Sequence, residues 1–476
     1  MSLDCVILAA GLGTRMKSAV PKVLHTVCGI PMLKAVITVA RTLNPERILV
    51  VIGKQGERIK NTIGSLGVSY VLQREPKGTG HALRCVRPAL RNSRGVIVVL
   101  NGDTPLLNPD IIKKFLRYHK NDKNSISVLS FNTKNPEHYG RIIRNASGQV
   151  ISIVEDRDAD SMQKKISEVN SGVYAINYDA FKIVDKIPVN PAKGEYYLTD
   201  IIAAASRKNL KTSAYCIGTE EELMGINTRE ELSKASALMK RNIVQSWIAR
   251  GVNFLDADSV SIHPDVCIGK ETMIYPNVCL DGHTRIGKGS VIYPNVRIRN
   301  SDIGNGAVIK DSTVIEDSRV KDRASVGPFA YLRPGSQIGT DARIGNFVEI
   351  KKSVIGERTK ASHLSYIGDA IVGKDVNIGA GTITCNYDGR AKHTTKIEDG
   401  VFIGSDSQLV APVRIGKGAY VGAGSTITRD VPPMSLATSR VHQMNREGWV
   451  QKRQGSVGTR RSATQKAADK RGRTGR

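Results

Sequence analysis

Aromatic residues make up only 5% of the 476-residue sequence and cysteines number seven. No run approaches the roughly 20 uncharged apolar residues that a bilayer-spanning helix requires. Each scarcity excludes something. Few aromatics argue against a large aromatic core, and the length excludes a small scaffold stapled by disulfides. The cysteines (Cys5, Cys28, Cys85, Cys216, Cys267, Cys279 and Cys385) are odd in number, far apart and without a CxxC pair. Neither a disulfide framework nor a structural zinc site is expected, and the compartment implied is reducing. The start, with Asp4 and no basic leader before its short apolar run, lacks the form of a secretory signal, so a cytoplasmic protein is expected. Acidic residues are also the minority, 44 against 70 Lys and Arg, for a net charge of +26. Residues 452–476 hold nine of those cations against Asp469 alone, so most of the excess lies elsewhere. Such charge suits nucleic acid, an anionic membrane or anionic small substrates. Without a recognisable RRM, KH or helix-turn-helix pattern, nucleic acid is the weakest of the three.

What is abundant is glycine, 45 residues, and it is distributed by rule. Up to about residue 230, short β-rich apolar runs (Val6 to Leu8, Ile48 to Ile52, Val96 to Leu100, Ile126 to Ser130) alternate with amphipathic stretches. That alternation predicts an α/β domain, a parallel sheet covered by helices. From Thr228 to Arg250 good helix formers and spaced apolar residues predict one long linker helix, with Gly251 as its stop. Beyond Gly251 an aliphatic-glycine pair recurs, from Ile268-Gly269, Ile286-Gly287 and Ile303-Gly304 through to Val421-Gly422, often at multiples of six residues. This period is the hexapeptide form of a parallel β-helix, in which each unit supplies a short strand and a turn and stacked coils share one core. The expected division is 1–227, a linker helix 228–250, a β-helix domain 251–440, and an extension 441–476 that is basic and disordered after about residue 451. The repeat breaks between Thr382 and Lys396, and a loop expelled from a solenoid is a candidate functional element.

The chemistry-bearing motifs begin directly after the first predicted strand, in LAAGLGTRMKSAVPKVL from Leu8 to Leu24. Gly11 and Gly13 let backbone N–H groups approach a phosphate, while Arg15 and Lys22 supply charge. The dinucleotide fingerprint fails at Met16 and the Walker pattern lacks its GK[ST]. A near-match from Gly282 to Gly289 falls within the hexapeptide register and is read as structural.

The string GxGTRM followed by Pro21-Lys22 resembles the signature of sugar-1-phosphate nucleotidylyltransferases. Together with the hexapeptide half, the chain resembles the family of bifunctional bacterial N-acetylglucosamine-1-phosphate uridylyltransferases and glucosamine-1-phosphate N-acetyltransferases over about residues 3–450. Further matches are Gln73, GTGHA (Gly78 to Ala82), GDTPLL (Gly102 to Leu107), YGRI (Tyr139 to Ile142), Val154-Glu155, NSG (Asn170 to Gly172), EYYLTD (Glu195 to Asp200) and GIN (Gly225 to Asn227). In the second half they are RPG (Arg333 to Gly335), NFVEIKK (Asn346 to Lys352), NIGAGTITCNYDG (Asn377 to Gly389) and ATSR (Ala437 to Arg440).

The resemblance implies a Rossmann-like nucleotidyltransferase domain followed by a left-handed parallel β-helix. It implies UTP and N-acetylglucosamine 1-phosphate as substrates of the first site, glucosamine 1-phosphate and acetyl-CoA as substrates of the second, and a homotrimer. A solenoid's flat faces agree with the last expectation, since a small-molecule pocket is most easily made where subunits meet. By the same carry-over Arg15 and Lys22 stabilise the triphosphate. Leu8, Ala9, Ala10, Gly11, Gln73, Gly78 and Thr79 hold the nucleotide, and Gly140, Glu155, Asn170 and Asn227 complete the nucleotide and sugar site. Asp103 and Asn227 bind Mg2+, for which hard oxygen donors are suited. In the second site His363 is the general base, a role that needs a pKa near the working pH. Arg333, Lys351 and Lys392 take the sugar phosphate, while Tyr366, Asn377, Asn386 and Tyr387 orient the reactants. Ala380, Ser405, Ala423 and Arg440 line the coenzyme A groove. Leu12 stands where a lysine is common and Asn101 where a tyrosine is often seen; both departures concern nucleotide affinity. Two other readings remain open at this point: a nucleotidylyltransferase for another hexose whose β-helix is regulatory, and a non-catalytic scaffold of the same plan.

Overall fold

The computed structural model describes all residues except Met1, Leu12, Asn92, Ala192 and 455–476. The expectations for Leu12 and for the basic tail beyond residue 454 therefore lie outside the described residues. By packing, the chain divides into two compact units, Met1–Asp341 and Ala342–Arg476.

The first unit opens with β1 (Leu3–Ala9), the small hairpin β2 (Thr26–Val27) and β3 (Ile30–Pro31), and α1 (Met32–Thr42). There follow β4 (Arg47–Ile52), α2 (Gly56–Ile63), β5 (Ser69–Leu72), α3 (Thr79–Cys85), β6 (Val96–Asn101), α4 (Pro109–Asn121) and β7 (Ile126–Asn132). After the hairpin β8 (Arg141–Arg144) and β9 (Val150–Val154) come β10 (Glu168–Asn177), α5 (Asp200–Ser206), β11 (Thr212–Cys216), α6 (Glu220–Leu223) and α7 (Arg229–Ile248). The strands lie in the order β11-β7-β10-β6-β1-β4-β5. Continuous apolar runs form the central strands because both faces are covered: Cys5, Ile7 and Val50 join one buried cluster, Val6, Leu49 and Val51 the other.

The expectation of a parallel sheet needs one correction. β10 runs antiparallel to both neighbours, β6 and β7. The chain reaches β10 from the β8–β9 hairpin without an intervening helical crossover, and an antiparallel strand needs none. Its pairing with β7 is interrupted between Asn170 and Val173, at the NSG motif. Gly172 has φ 79°, a left-handed conformation that favours glycine, and a Cβ there would displace the Asn101 amide nitrogen 2.0 Å away.

The functional consequence of the strand order is a switch point. From β1 the chain first builds outward through β4 and β5, then returns to place β6 on the other side of β1. In open α/β sheets the crevice beyond the carboxyl ends of two such strands is where ligands bind. The glycine loop follows β1 and Asp103 follows β6.

The long helix expected between Thr228 and Arg250 forms over Arg229–Ile248, opened by a reciprocal capping box between Thr228 and Glu231. From Asn253 onward the first unit consists of short parallel strands stacked 17 or 18 residues apart, as in Ile274↔Ile292↔Ile309↔Val326. The inward aliphatic of each hexapeptide is buried and its flanking residues face out. The Gly282 to Gly289 near-match lies within these coils, with the Lys288 amide bonded to the Asn305 side chain, as a structural reading requires.

The second unit repeats this plan, with Ile344↔Ala361↔Ile378 stacked at the same spacing. The next step lengthens to 25 residues. The expected break is real but narrower than Thr382 to Lys396, because Ile383–Cys385 and Thr395–Ile397 are still strands of the coil. Thr384 and Thr395 remain buried, so the inward positions are kept and only 386–394 is expelled.

Core repeats and outward positions should differ sharply in cost. Ile350→Ala, at a fully buried position, should destabilise the second unit by about 2–5 kcal/mol. Ile371→Ala, half exposed, should stay within about 0.5 kcal/mol. Denaturant titration of the two variants checks the contrast; equal costs would contradict the inward-aliphatic assignment.

Candidate active sites

The first site is a cleft at the carboxyl ends of β1, β5 and β6. One cavity, of about 550 Å³, is lined by Leu8, Ala9, Ala10, Gly11, Gly13, Lys22, Gln73, Gly78, Thr79, Asn101 and Asp103 among others. Every residue expected at the nucleotide from β1, Gln73 and the GTG motif is thus brought together. The two glycines of the loop differ in purpose. Gly13 has φ 63°, and a Cβ there would lie 2.5 Å from that of Lys22, so glycine is what lets the loop fold back on the lysine. A Cβ at Gly11 would meet nothing within 4 Å. Gln73 is fixed by donating to the Gly78 carbonyl at 3.1 Å, and the Thr79 hydroxyl accepts from the Leu198 amide at 3.0 Å.

A neighbouring cavity of about 440 Å³ shares Gly78, Thr79 and Glu195 and adds Arg15, His138, Glu155, Asp156, Asp158, Lys193 and Tyr197. Glu155 accepts from the Thr199 hydroxyl at 2.9 Å. Burial pushes its pKa up, and the Asp158 and Asp200 carboxylates add to the rise while Thr199 and Lys193 oppose it. Gly140 and Asn170 are joined by a backbone hydrogen bond of 2.8 Å, and Asn170 donates to the Tyr174 hydroxyl at 3.0 Å. Asp156 is held below the usual carboxylate range: burial would raise it, but hydrogen bonds from the His138 backbone and from the fully buried Arg141, at 2.8 Å, outweigh that. Glu195, Asp156, Asp158, Lys193 and Tyr197 were not singled out from sequence, although EYYLTD contains Glu195 and Tyr197.

At the base of the cleft the Lys22 ammonium pairs with Asp103 and donates to the Asn227 side-chain oxygen at 3.0 Å. These three residues lie 81 and 205 positions apart. Two hard oxygens therefore converge on one point, and the group at that point is a cation. This donor set fits a magnesium ion that keeps several of its own waters. Among the described residues no cluster of three or more His, Cys, Asp or Glu side chains offers a competing metal site. None of the described helices is long and apolar enough to cross a membrane, and all seven cysteines are free thiols.

The second site gathers on the second unit. His363 ends a strand, and its Nδ1 lies 2.6 Å from the Asn346 side-chain oxygen one coil earlier. An amide oxygen accepts only, so Nδ1 donates to Asn346, and Nε2 is the ring nitrogen left for a substrate. Asn346 was not among the expected residues, although it opens NFVEIKK; its position one coil before His363 is the signal that was available.

Below that corner Lys351 lies 3.3 Å from Asp369, which also accepts from Asn386. Gly368 makes this possible, because a Cβ there would sit 2.5 Å from the Tyr366 hydroxyl and 2.9 Å from the Asn386 amide nitrogen. Lys392, on the expelled loop, is drawn below the usual lysine range by the neighbouring Lys351. Lys351 is raised, first by its hydrogen bond with Lys392 and then by Asp369. Two lysines beside one carboxylate give the corner a positive character that suits an anion. Asp369 too was missed from sequence. Tyr387 bridges to Lys392 across the loop and donates to the Gly389 carbonyl at 2.8 Å. Asn377 sits in register between Lys360 and Phe402.

Ala380, Ser405, Ala423 and Arg440 form a column of successive turns. Ala380 and Ser405 accept backbone bonds from Asp406 and Gly424 in the next coil, and Arg440 donates to the Ala423 carbonyl at 2.9 Å. Arg333 belongs to the first unit, following the strand Tyr331–Leu332, with its carbonyl accepting from Ser318 and Ser336.

Residues 5–169 match the model of the MobA-like NTP transferase domain, and residues 394–429 match the six-repeat bacterial transferase hexapeptide. The chain is 49% identical over 451 residues to the "Bifunctional protein GlmU" of Thermodesulfovibrio yellowstonii, covering 95% of this chain and 99% of that protein. It is 47% identical over 449 residues to the protein of the same name from Halalkalibacterium halodurans, covering 94% and 98%. The Clostridioides difficile protein of that name is 46% identical over 454 residues, covering 95% and 98%.

The raised pKa of Glu155 has a consequence for stability. Ionising a carboxyl that prefers its proton opposes folding, a cost absent below the ordinary value of 4.5 and present once pH passes the raised one. Glu155→Gln should therefore be more stable than the parent at about pH 8, and the advantage should vanish at about pH 4. Denaturant midpoints at the two pH values measure this; an advantage equal at both would contradict it.

Proposed function

The chain belongs to the family of bifunctional GlmU proteins, and from that premise we propose how its residues divide two successive reactions. The protein is a bifunctional transferase: it acetylates glucosamine 1-phosphate with acetyl-CoA, then joins the N-acetylglucosamine 1-phosphate to UTP, giving UDP-N-acetylglucosamine and pyrophosphate. A regulatory β-helix or an inert scaffold does not account for near-complete likeness to bifunctional relatives. The observation that carries the reading is the convergence of Lys22, Asp103 and Asn227 beneath a cavity lined by the glycine loop and Gln73.

In uridylyl transfer an oxygen of the sugar phosphate attacks the α-phosphorus of UTP and pyrophosphate leaves. Both reactants are anions, so the task is positioning and charge neutralisation. Leu8 to Gly11, Gln73, Gly78 and Thr79 hold the nucleotide, and Gly140, Glu155 and Asn170 hold the sugar. Arg15 and Lys22 bind the triphosphate, Lys22 by leaving Asp103 and Asn227 for it. Asp103 and Asn227 would then hold Mg2+, which supplies charge neutralisation at the phosphates.

In acetyl transfer the amine nitrogen of glucosamine 1-phosphate attacks the thioester carbonyl and the coenzyme A thiolate leaves. His363, oriented by the bond from Nδ1 to Asn346, takes the proton of the amine on Nε2. Arg333, Lys351 and Lys392 bind the sugar phosphate; Tyr366, Asn377, Asn386 and Tyr387 orient the reactants. The column Ala380, Ser405, Ala423 and Arg440 lines the coenzyme A groove.

The proposed domains are 1–227 for uridylyl transfer, 228–250 as linker, 251–440 for acetyl transfer, and 441–476 as extension. The proposed assembly is a homotrimer in the cytoplasm. Phe347 and Leu364 support an oligomer, because they stand on successive turns beside His363, 56% and 61% exposed, and offer apolar surface to a second copy.

Separate sites predict separable losses. Asp103→Ala should lower uridylyl transfer by about 10²-fold or more while sparing acetylation. His363→Ala should lower acetylation by about 10²–10⁴-fold while sparing uridylyl transfer. Product analysis with UTP, acetyl-CoA, Mg2+ and each sugar phosphate decides; loss of both activities in either folded variant would refute the assignment.

A further inference from the structure

We infer that the first turn of α7 is a positioning element for uridylyl transfer, with Glu231 and Arg229 as the residues that act through it. The inference rests on the assignment of Asp103 and Asn227 as the cation pair.

An ordinary capping box satisfies the amide of the N-cap residue and ends there. Here the Glu231 Oε2 accepts from the N-cap amide, Thr228, at 3.0 Å and also from the amide of the residue before it, Asn227. The Thr228 hydroxyl returns the bond by accepting from the Glu231 amide at 3.1 Å. One carboxylate oxygen thus fixes the backbone on both sides of the Asn227–Thr228 peptide, and with it the direction of the Asn227 side chain toward Lys22. Immediately upstream, the Ile226 amide donates to the Asp103 carbonyl at 2.9 Å. The two oxygen donors of the proposed cation site are therefore tied together through the backbone that Glu231 holds.

Arg229, two residues after Asn227, reaches the opposite way. Its Nε donates to the Met16 carbonyl at 3.3 Å, and its guanidinium lies 3.4 Å from the His25 Nδ1. Those contacts fall near the two ends of the segment that carries Arg15 and Lys22. Ile226 and Ala235 pack with Val27 and Met32 in one small buried cluster, which anchors the same turn beneath the loop. The start of α7 therefore holds the carboxamide with one side chain and the phosphate loop with the other. A cap serving only the helix would have no reason to touch either.

The test uses the full chain and four variants: Glu231→Ala, Glu231→Gln, Arg229→Ala and Asp103→Ala. Mn2+ affinity is read by electron paramagnetic resonance without substrates, and amide exchange is followed across residues 13–25 and 226–228. Glu231→Ala should weaken Mn2+ binding by about tenfold, the lower range for losing a group that orients a metal ligand. It should also speed exchange at Asn227 and Thr228. Glu231→Gln keeps the accepting oxygen and should stay within about twofold of the parent. Arg229→Ala should speed exchange in residues 13–25 and raise the KM for UTP more than it lowers kcat. Parent-like Mn2+ affinity in Glu231→Ala overturns the role of Glu231, as does a loss in Glu231→Gln equal to that in Glu231→Ala. Parent-like exchange and KM in Arg229→Ala overturn the role of Arg229. If Asp103→Ala itself binds Mn2+ like the parent, the cation pair is misassigned and the failure lies there.

Discussion

Two polyanions cannot be brought into reaction without positive charge held between them, and in the first unit the arrangement begins with one ammonium group. Lys22 sits between Asp103 and Asn227, its charge balanced by one and a second of its three N–H groups donated to the other. Nearly every local feature of the surrounding fold bears on that contact. Gly13 turns the loop back onto Lys22, β6 ends where Asp103 is needed, and the GIN segment brings Asn227 in from the far end of the sheet domain. A buried or half-buried cation left without partners would be costly, so in the absence of substrate the lysine and the two oxygens satisfy one another. The same pairing keeps the two donor oxygens aimed at one point.

The second site solves the same electrostatic problem on a different scaffold. A hexapeptide coil has no deep crevice, so its chemistry is carried by turns and by the one segment the coil expels. Successive coils repeat positions 17 or 18 residues apart, which lets Asn346 set the proton position of His363 and lets Gly368 admit Tyr366 and Asn386 to the same spot. The expelled loop brings Lys392 to Lys351, and Asp369 holds Lys351 in place. In both sites a carboxylate tethers a lysine that an incoming phosphate can claim.

The periodic parts of this architecture were legible in the sequence. The four apolar runs became β1, β4, β6 and β7, the Thr228 to Arg250 segment became α7, and the aliphatic-glycine pairs became the buried rungs of the coils. Motif residues of the nucleotide cleft also came together as expected, because consecutive strands of one sheet end at one edge. What escaped was set by pairing between distant segments. The direction of β10 depends on how the chain arrives, which no local pattern in Glu168–Asn177 encodes. Asn346 and Asp369 look like ordinary turn residues until stacking places them against His363 and Lys351. Thr384 and Thr395 keep the coil going through a stretch whose polar composition reads as loop.

The claim beneath the whole account is that Asp103 and Asn227 define a cation position which Lys22 holds until substrate arrives. The most direct measurement is the Mn2+ affinity of Lys22→Ala without nucleotide, titrated by electron paramagnetic resonance. With the competing ammonium gone, the account predicts tighter Mn2+ binding than in the parent chain, even as uridylyl transfer is lost. Affinity that is unchanged or weaker would mean that the lysine does not occupy the cation's place, and would contradict it.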